Sequence, residues 1–213
     1  MIEYIVPGNI DDRILARAAK LLGEGGTVAI PTDTSWSIVC SMNSRDGLKR
    51  LRSLSREKDE RRFTLLCSDI SQFGEFCSLD NTRFRLIKRL APGPYVFILK
   101  TLLGTEKALG LKRQEIGVRL PDYPVPLALI DTLGCPLYGV TAKREMLLIL
   151  EEVDDESLDE DALFDGGWEL EDIPNLDLVL DPGEERKRIF STVLDLSSGD
   201  IQVLRQGAGL WPV

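Results

Sequence analysis

An apolar run, Gly25-Gly26-Thr27-Val28-Ala29-Ile30, stops at Pro31 and is followed by Thr32-Asp33-Thr34-Ser35-Trp36. The run reads as a strand over Thr27–Pro31 of the kind buried on both faces, which requires a sheet covered from two sides. Its end carries two hydroxyls and a carboxylate in three residues. Open α/β sheets hold their ligands at the carboxyl ends of strands. The same composition also suits a loop that caps the following helix, and the residues alone leave both roles open.

Around this strand the pattern alternates. Residues 10–24 carry Ile14, Leu15, Ala18, Leu21 and Leu22 at helical spacing, with Asp11 or Asp12 near the start. Further helices are expected at about 45–54, Ser71–Cys77, Asn81–Leu90 and Pro124–Leu133. Strands are expected at Phe63–Cys67, Tyr95–Lys100, Ile116–Leu120, Pro136–Thr141, Leu176–Leu180, Thr192–Leu196 and Gln202–Leu204. No internal repeat is visible. The reading is an α/β or mixed α+β chain of 213 residues forming one domain over 1–213.

Several classes of chemistry are excluded by what is missing. The sequence has no histidine, so Ser-His-Asp and Cys-His hydrolysis cannot run within it. Its four cysteines, Cys40, Cys67, Cys77 and Cys135, form no Cys-x-x-Cys pair, and no metal site is expected. They are read as buried, reduced thiols in a cytoplasmic protein. No apolar run approaches membrane-spanning length. The start, Met1–Pro7, has no basic flank leading into a long apolar segment, so no secretory signal is expected.

The formal net charge of −9 is distributed unevenly. Between Glu145 and Glu185 there are 17 acidic residues and no Lys or Arg. Of the 35 acidic residues, 18 therefore lie elsewhere, against all 26 basic ones. The chain reads as a mildly basic body, suited to phosphate, carrying an acidic segment at about 145–185 that is expected to be a solvated loop or helix face, with Phe164, Trp168 and Leu170 suggesting that some of it packs.

Seven motifs occur in order: Pro31-Thr32-Asp33-Thr34; the charged loop before Phe63-Thr64-Leu65-Leu66; Ala91-Pro92-Gly93-Pro94-Tyr95-Val96-Phe97; Ile116-Gly117-Val118-Arg119-Leu120-Pro121-Asp122-Tyr123-Pro124; Pro136-Leu137-Tyr138; Ser191-Thr192-Val193-Leu194-Asp195-Leu196; and Val203-Leu204-Arg205-Gln206-Gly207-Ala208-Gly209. Over roughly residues 10–209 they resemble the YrdC/YciO family of threonylcarbamoyl-AMP synthases and relatives, with most likeness to the YciO-type branch. The resemblance implies a YrdC-like fold, a twisted open mixed sheet flanked by helices with a large concave basic cavity. It implies L-threonine, bicarbonate and ATP (with Mg²⁺) as substrates. The products would be threonylcarbamoyl-AMP and pyrophosphate, and the product would serve tRNA threonylcarbamoyladenosine modification. Some relatives bind tRNA or double-stranded RNA. Such a reaction needs positioning and neutralisation of phosphate charge, which a chain without histidine can supply.

Carried onto this sequence, the resemblance puts Thr32, Arg119 and Ser191 on the threonine side. An Arg fork suits a carboxylate, although Arg119 on a strand end also suits a pair with Asp122. Asp195 is expected to order its local turn. Arg205 would approach the nucleotide, together with Thr141 and Lys143. Two departures stand out. Where active synthases carry Lys-x-Arg, this chain reads Ser55 and Glu57; where they carry Ser-x-Asn, it reads Thr141-Ala142-Lys143. Arg56, Lys58 and Arg61 lie close enough to restore cations to the phosphates, or form a solvated loop. Three readings follow: a synthase; a YciO-like nucleotide- or RNA-binding protein without efficient turnover; and an interaction protein whose acidic segment covers the cavity or docks a basic partner.

Overall fold

In the computed structural model, which describes residues 1–55, 63–103, 114–147 and 160–212, the first helix runs from Asp12 to Gly23 (α1). Asp11 caps it, its carboxylate accepting from the Arg13 N–H at 2.8 Å. The strand read over Thr27–Pro31 is β2 (Val28–Pro31), buried throughout. No helix follows it. Pro31 pairs with Trp36 and the Thr32 N–H donates to the Ser35 carbonyl, so Thr32–Ser35 is the turn of a β-hairpin leading into β3 (Trp36–Ser41). The helix-cap role for this turn is thereby excluded.

Next come α2 (Arg45–Ser55), β4 (Thr64–Leu66), α3 (Ile70–Phe76), α4 (Asn81–Leu90), β5 (Tyr95–Lys100), β6 (Glu115–Arg119), α5 (Pro124–Leu133) and β7 (Leu137–Thr141). After three short 3₁₀ turns among the described residues, Arg144–Leu147, Glu160–Ala162 and Gly167–Leu170, come β8 (Leu178–Asp181), β9 (Thr192–Asp195) and β10 (Gln202–Arg205). A further strand, β1 (Ile2–Tyr4), precedes α1. Neither β1 nor β3 was expected from the sequence.

The ten strands form one open mixed sheet in the order β1-β8-β2-β3-β7-β4-β6-β5-β9-β10. Strand β8 pairs in parallel with β1 and β2, so the end of the acidic segment is built into the sheet. One face packs on α2, α3 and α4 through Leu51, Phe73, Ile87, Phe97 and Val118. On the other face, Leu15, Ala18 and Leu22 of α1 and Val125 and Leu129 of α5 pack on Val28, Ile30, Val39, Leu66 and Leu178. This second face continues across β6, β5 and β9, where Gly117, Arg119, Val96, Ile98 and Val193 belong to neither apolar cluster. Opposed residues in paired strands share a face. Among the described residues, α1 and α5 therefore do not cover this part of the face, and Arg119 is a charged side chain of β6 that lies on it.

The acidic segment is not simply solvated. Phe164, Leu170 and Ile173 join the core cluster that packs under α2–α4, and Leu163 is also fully buried. Arg144 meets Asp165 and Glu169, Arg188 meets Asp161 and Asp165, and Asp177 accepts from the Thr27 N–H at 2.9 Å. All four cysteines are free; Cys40, Cys67 and Cys77 are buried, whereas Cys135 is half-buried. Burial pushes the Cys40 and Cys77 thiols up to about 12 and raises Cys67 as well. Among the described residues no helix is long and apolar enough to cross a membrane, and no cluster of three or more His, Cys, Asp or Glu side chains is placed to hold a metal.

Candidate functional site

The hairpin turn between β2 and β3 closes on its own hydroxyls. Thr32 Oγ1 donates to the Ser35 carbonyl at 2.7 Å, accepts from the Thr34 N–H at 3.2 Å, and lies 3.1 Å from Thr34 Oγ1. Thr32 is thus occupied inside the turn, and the hydroxyl that meets a side chain from β6, beyond β7 and β4, belongs to Thr34. Arg119, the last residue of β6, reaches it: Nη1 and Nη2 each donate to Thr34 Oγ1 at 3.1 Å, and Nη2 donates to Asp33 Oδ1 at 2.7 Å. The ionic partner of Arg119 is therefore Asp33 rather than Asp122.

This pair is nearly out of water, with Arg119 only 6% exposed. Burial works to lower the Arg119 pKa and the Asp33 carboxylate opposes it. Two polar atoms of the pair, Arg119 Nε and Asp33 Oδ2, are buried and have no hydrogen-bond partner among the described residues. An unpartnered donor and an unpartnered acceptor in one ion pair match a small ligand that presents an acceptor and a donor together, as a zwitterionic amino acid does.

The other end of the site is made by β9 and β10. Arg205 Nε donates to the Ser191 carbonyl at 2.8 Å and Nη2 to the Ser191 hydroxyl at 3.0 Å, while its guanidinium carbon lies 4.9 Å over the Phe190 ring. The loop after β10 folds back on residues 190–192: the Gly207 N–H donates to Thr192 Oγ1 and Thr192 Oγ1 donates to the Gly209 carbonyl. A Cβ at Gly207 would lie 2.2 Å from the Phe190 carbonyl oxygen, which explains the glycine. Asp195 orders the next turn, accepting from the Ser197 N–H and hydroxyl.

Register relates the two ends. Leu66 opposes Arg119, Val96 opposes Val193, and Val193 opposes Arg205. Continuing the β5–β6 pairing by one residue sets Val96 opposite Arg119. Arg119 and Arg205 therefore share a row on the same face, three strands or about 14 Å apart. Ser191, two residues before Val193, lies on that face too.

This order of motifs on this sheet decides the family, since the Sua5/YciO/YrdC family profile, described as telomere recombination, matches residues 20–207. The chain belongs to the Sua5/YciO/YrdC family. It is 31% identical over 207 residues to YciO of Escherichia coli K12, covering 97% of this chain and 95% of that protein. The crystal structure of E. coli YciO superposes with a TM-score of 0.82 at 29% identity, over 99% of this chain and 97% of that one. The threonylcarbamoyl-AMP synthase of Mus musculus is 27% identical over 203 residues, 92% of this chain and 68% of that protein. P. abyssi Sua5 complexed with L-threonine shares the fold, with a TM-score of 0.79 at 21% identity, over 97% of this chain and 57% of that one.

Within this Sua5/YciO/YrdC fold the remaining sequence-marked residues are placed as follows. Thr141 ends β7 opposite Ser37, on the face that carries Arg119. Lys143 pairs in an isolated bridge with Leu163, and its ammonium lies 3.4 Å from Glu145 Oε1 at 13% side-chain exposure. Its charge is thus matched by a carboxylate of the acidic segment. Arg56, Lys58 and Arg61 lie outside the described residues. The structure also brings in Asp33 and Thr34, both within the quoted turn, and Arg186, whose Nη2 donates to the Thr32 carbonyl at 2.7 Å. No family motif marks Arg186.

Proposed function

We propose that the protein is a threonylcarbamoyl-AMP synthase-like enzyme that binds L-threonine and ATP on the part of its sheet that α1 and α5 do not cover. In this reading the threonine amine adds to bicarbonate with loss of water, giving a carbamate. A carbamate oxygen then attacks the α-phosphorus of ATP, the bond to the β-phosphate breaks, and pyrophosphate leaves. The product would serve tRNA threonylcarbamoyladenosine modification. The observation that carries the reading is the buried Arg119–Asp33 pair, its Nε and Oδ2 unpartnered among the described residues, on the same face as Ser191 and Arg205. Arg119 would take the threonine carboxylate and Asp33 the donors near it. Ser191 and Thr141 would supply hydroxyls, and Lys143 and Arg205 would face the phosphates. Magnesium would arrive on the nucleotide, a mode of binding that asks few protein ligands. Likeness to the mouse synthase supports the same reading.

A second reading has its own observation. Lys143 stands where synthases carry an amide and is matched by Glu145, which weakens the pull on a triphosphate. On that reading the site holds threonine, nucleotide or RNA (tRNA or double-stranded RNA) with little turnover. A pyrophosphate-release assay with ATP, threonine and bicarbonate decides between them. Release that needs all three substrates and is lost in Arg119→Ala supports the enzyme. Calorimetric binding of threonine or ATP without release, with release gained in Lys143→Asn, supports the second reading. Absence of binding to threonine, ATP, tRNA and double-stranded RNA alike overturns both assignments of this site.

A further inference from the structure

Arg186 lies in the charged run Glu184-Glu185-Arg186-Lys187-Arg188, which reads as solvent-facing. Its side chain is instead enclosed, at 14% exposure. The guanidinium carbon sits 4.3 Å over the Tyr123 ring. Nη1 donates to the Tyr123 hydroxyl at 3.2 Å and to Glu184 Oε1 at 3.1 Å, and Nη2 donates to the Thr32 carbonyl at 2.7 Å. The Arg186 backbone N–H donates to the Asp165 carbonyl at 2.7 Å. That same oxygen accepts from Trp36 Nε1 at 3.2 Å.

These contacts converge on one short turn. Thr32 opens it and Trp36 follows it, while Tyr123 leads into α5 four residues after Arg119. The internal bonds of the turn, all directed at the Ser35 carbonyl or the Thr32 hydroxyl, close the loop but leave the Thr32 carbonyl unanchored. The tilt of that carbonyl is the tilt of the Thr32–Asp33 peptide plane, and so sets where the Asp33 carboxylate points. A charged donor holds a carbonyl roughly twice as strongly as a neutral one, and a guanidinium stacked on a ring has little freedom to drift.

We propose that Arg186 is a positioning residue of the candidate site, fixing the Thr32 carbonyl so that Asp33 and Thr34 stay turned toward Arg119. Through its backbone bond to Asp165 it also makes the acidic segment part of the frame of the site. Arg119 and Arg186 thus grip the turn from two sides. The functional weight of this role rests on the reading of Arg119 as the threonine clamp.

The test uses the full chain with Arg186→Gln and Arg186→Lys. Amide hydrogen exchange over residues 32–36 reports the turn and exchange over β7 reports the sheet. Burial and Glu184 raise the Tyr123 pKa whereas Arg186 lowers it, so the tyrosine titration lost in Tyr123→Phe gives a separate signature. In Arg186→Gln, exchange rises in the turn alone, Tyr123 titrates higher, and threonine binding weakens about tenfold. In Arg186→Lys, which keeps the charge without the fork, these changes are partial. Unchanged turn exchange in Arg186→Gln, or a uniform rise across the sheet, overturns the proposal. If the unaltered protein binds no threonine, the clamp reading falls, and exchange alone decides whether Arg186 holds the turn.

Discussion

Removing the Asp33 carboxylate tests whether the Arg119 pair is a true buried ion pair. The two side chains are 8% and 12% exposed, and Asp33 is the carboxylate that meets this guanidinium. Asp33→Ala leaves a desolvated cation held, among the described residues, by the Thr34 hydroxyl alone, a loss of about 3–5 kcal/mol for a pair of this kind. For a chain of this length that lowers Tm by about 10 °C. Arg119→Met is expected to cost less, because the remaining carboxylate lies in a turn that can relax toward water. The double variant Asp33→Ala/Arg119→Met removes both charges, and its cost falls short of the summed single effects by about 2 kcal/mol. Urea titrations followed by circular dichroism measure all four proteins. If the single effects add to within about 0.5 kcal/mol, the charges are not coupled and the reasoning fails.

Three further outcomes are expected. Gly207→Ala drives a Cβ to 2.2 Å from the Phe190 carbonyl and costs about 1–3 kcal/mol in thermal denaturation, whereas Gly199→Ala, with nothing within 4 Å, leaves Tm unchanged. Burial works to raise the Glu169 pKa, but the Gly166 N–H, the Arg144 side chain and the Asp165 N–H outweigh it and lower it below its ordinary 4.5. The stability that Glu169 gives residues 163–170 is therefore fully present above that value and lost as pH falls through the lowered one. Trp168 fluorescence between pH 6 and 3 follows this loss, and Glu169→Gln abolishes that component. Finally, Lys143→Asn leaves Glu145 without its cation and restores an amide, so nucleotide binding measured by calorimetry should change while threonine binding does not.

Much of the fold was legible because amphipathic helices declare themselves. Leu15, Ala18 and Leu22 recur at helical spacing and are the residues that α1 buries. Strand β3 was not legible, since Trp36–Ser41 is buried along its whole length and has no alternation to read. Its serines also imitate a loop; in the sheet Ser37 donates to the Val140 carbonyl at 3.0 Å and Ser41 meets Cys135. Within the site, Arg119 was marked by its motif, but its partner was not. Asp122 is three residues away in sequence, while Asp33 is 86 residues away and is brought near only by the hairpin. Arg186 was hidden for a related reason, because a run of mixed charges looks solvated until a ring and a carbonyl are folded against it. Charge counting alone makes the acidic segment look solvated; Phe164 and Leu170 among the carboxylates already pointed to packing and are buried with Leu163 and Ile173, whereas Trp168, read the same way, is half exposed.

The placement of β8 between β1 and β2 has a consequence for synthesis. An N-terminal half emerging first from the ribosome has β2 with one flank bare, since its neighbour on that side begins only at Leu178. A bare strand flank is a template for wrong partners until the late segment arrives, and such long-range pairings form slowly.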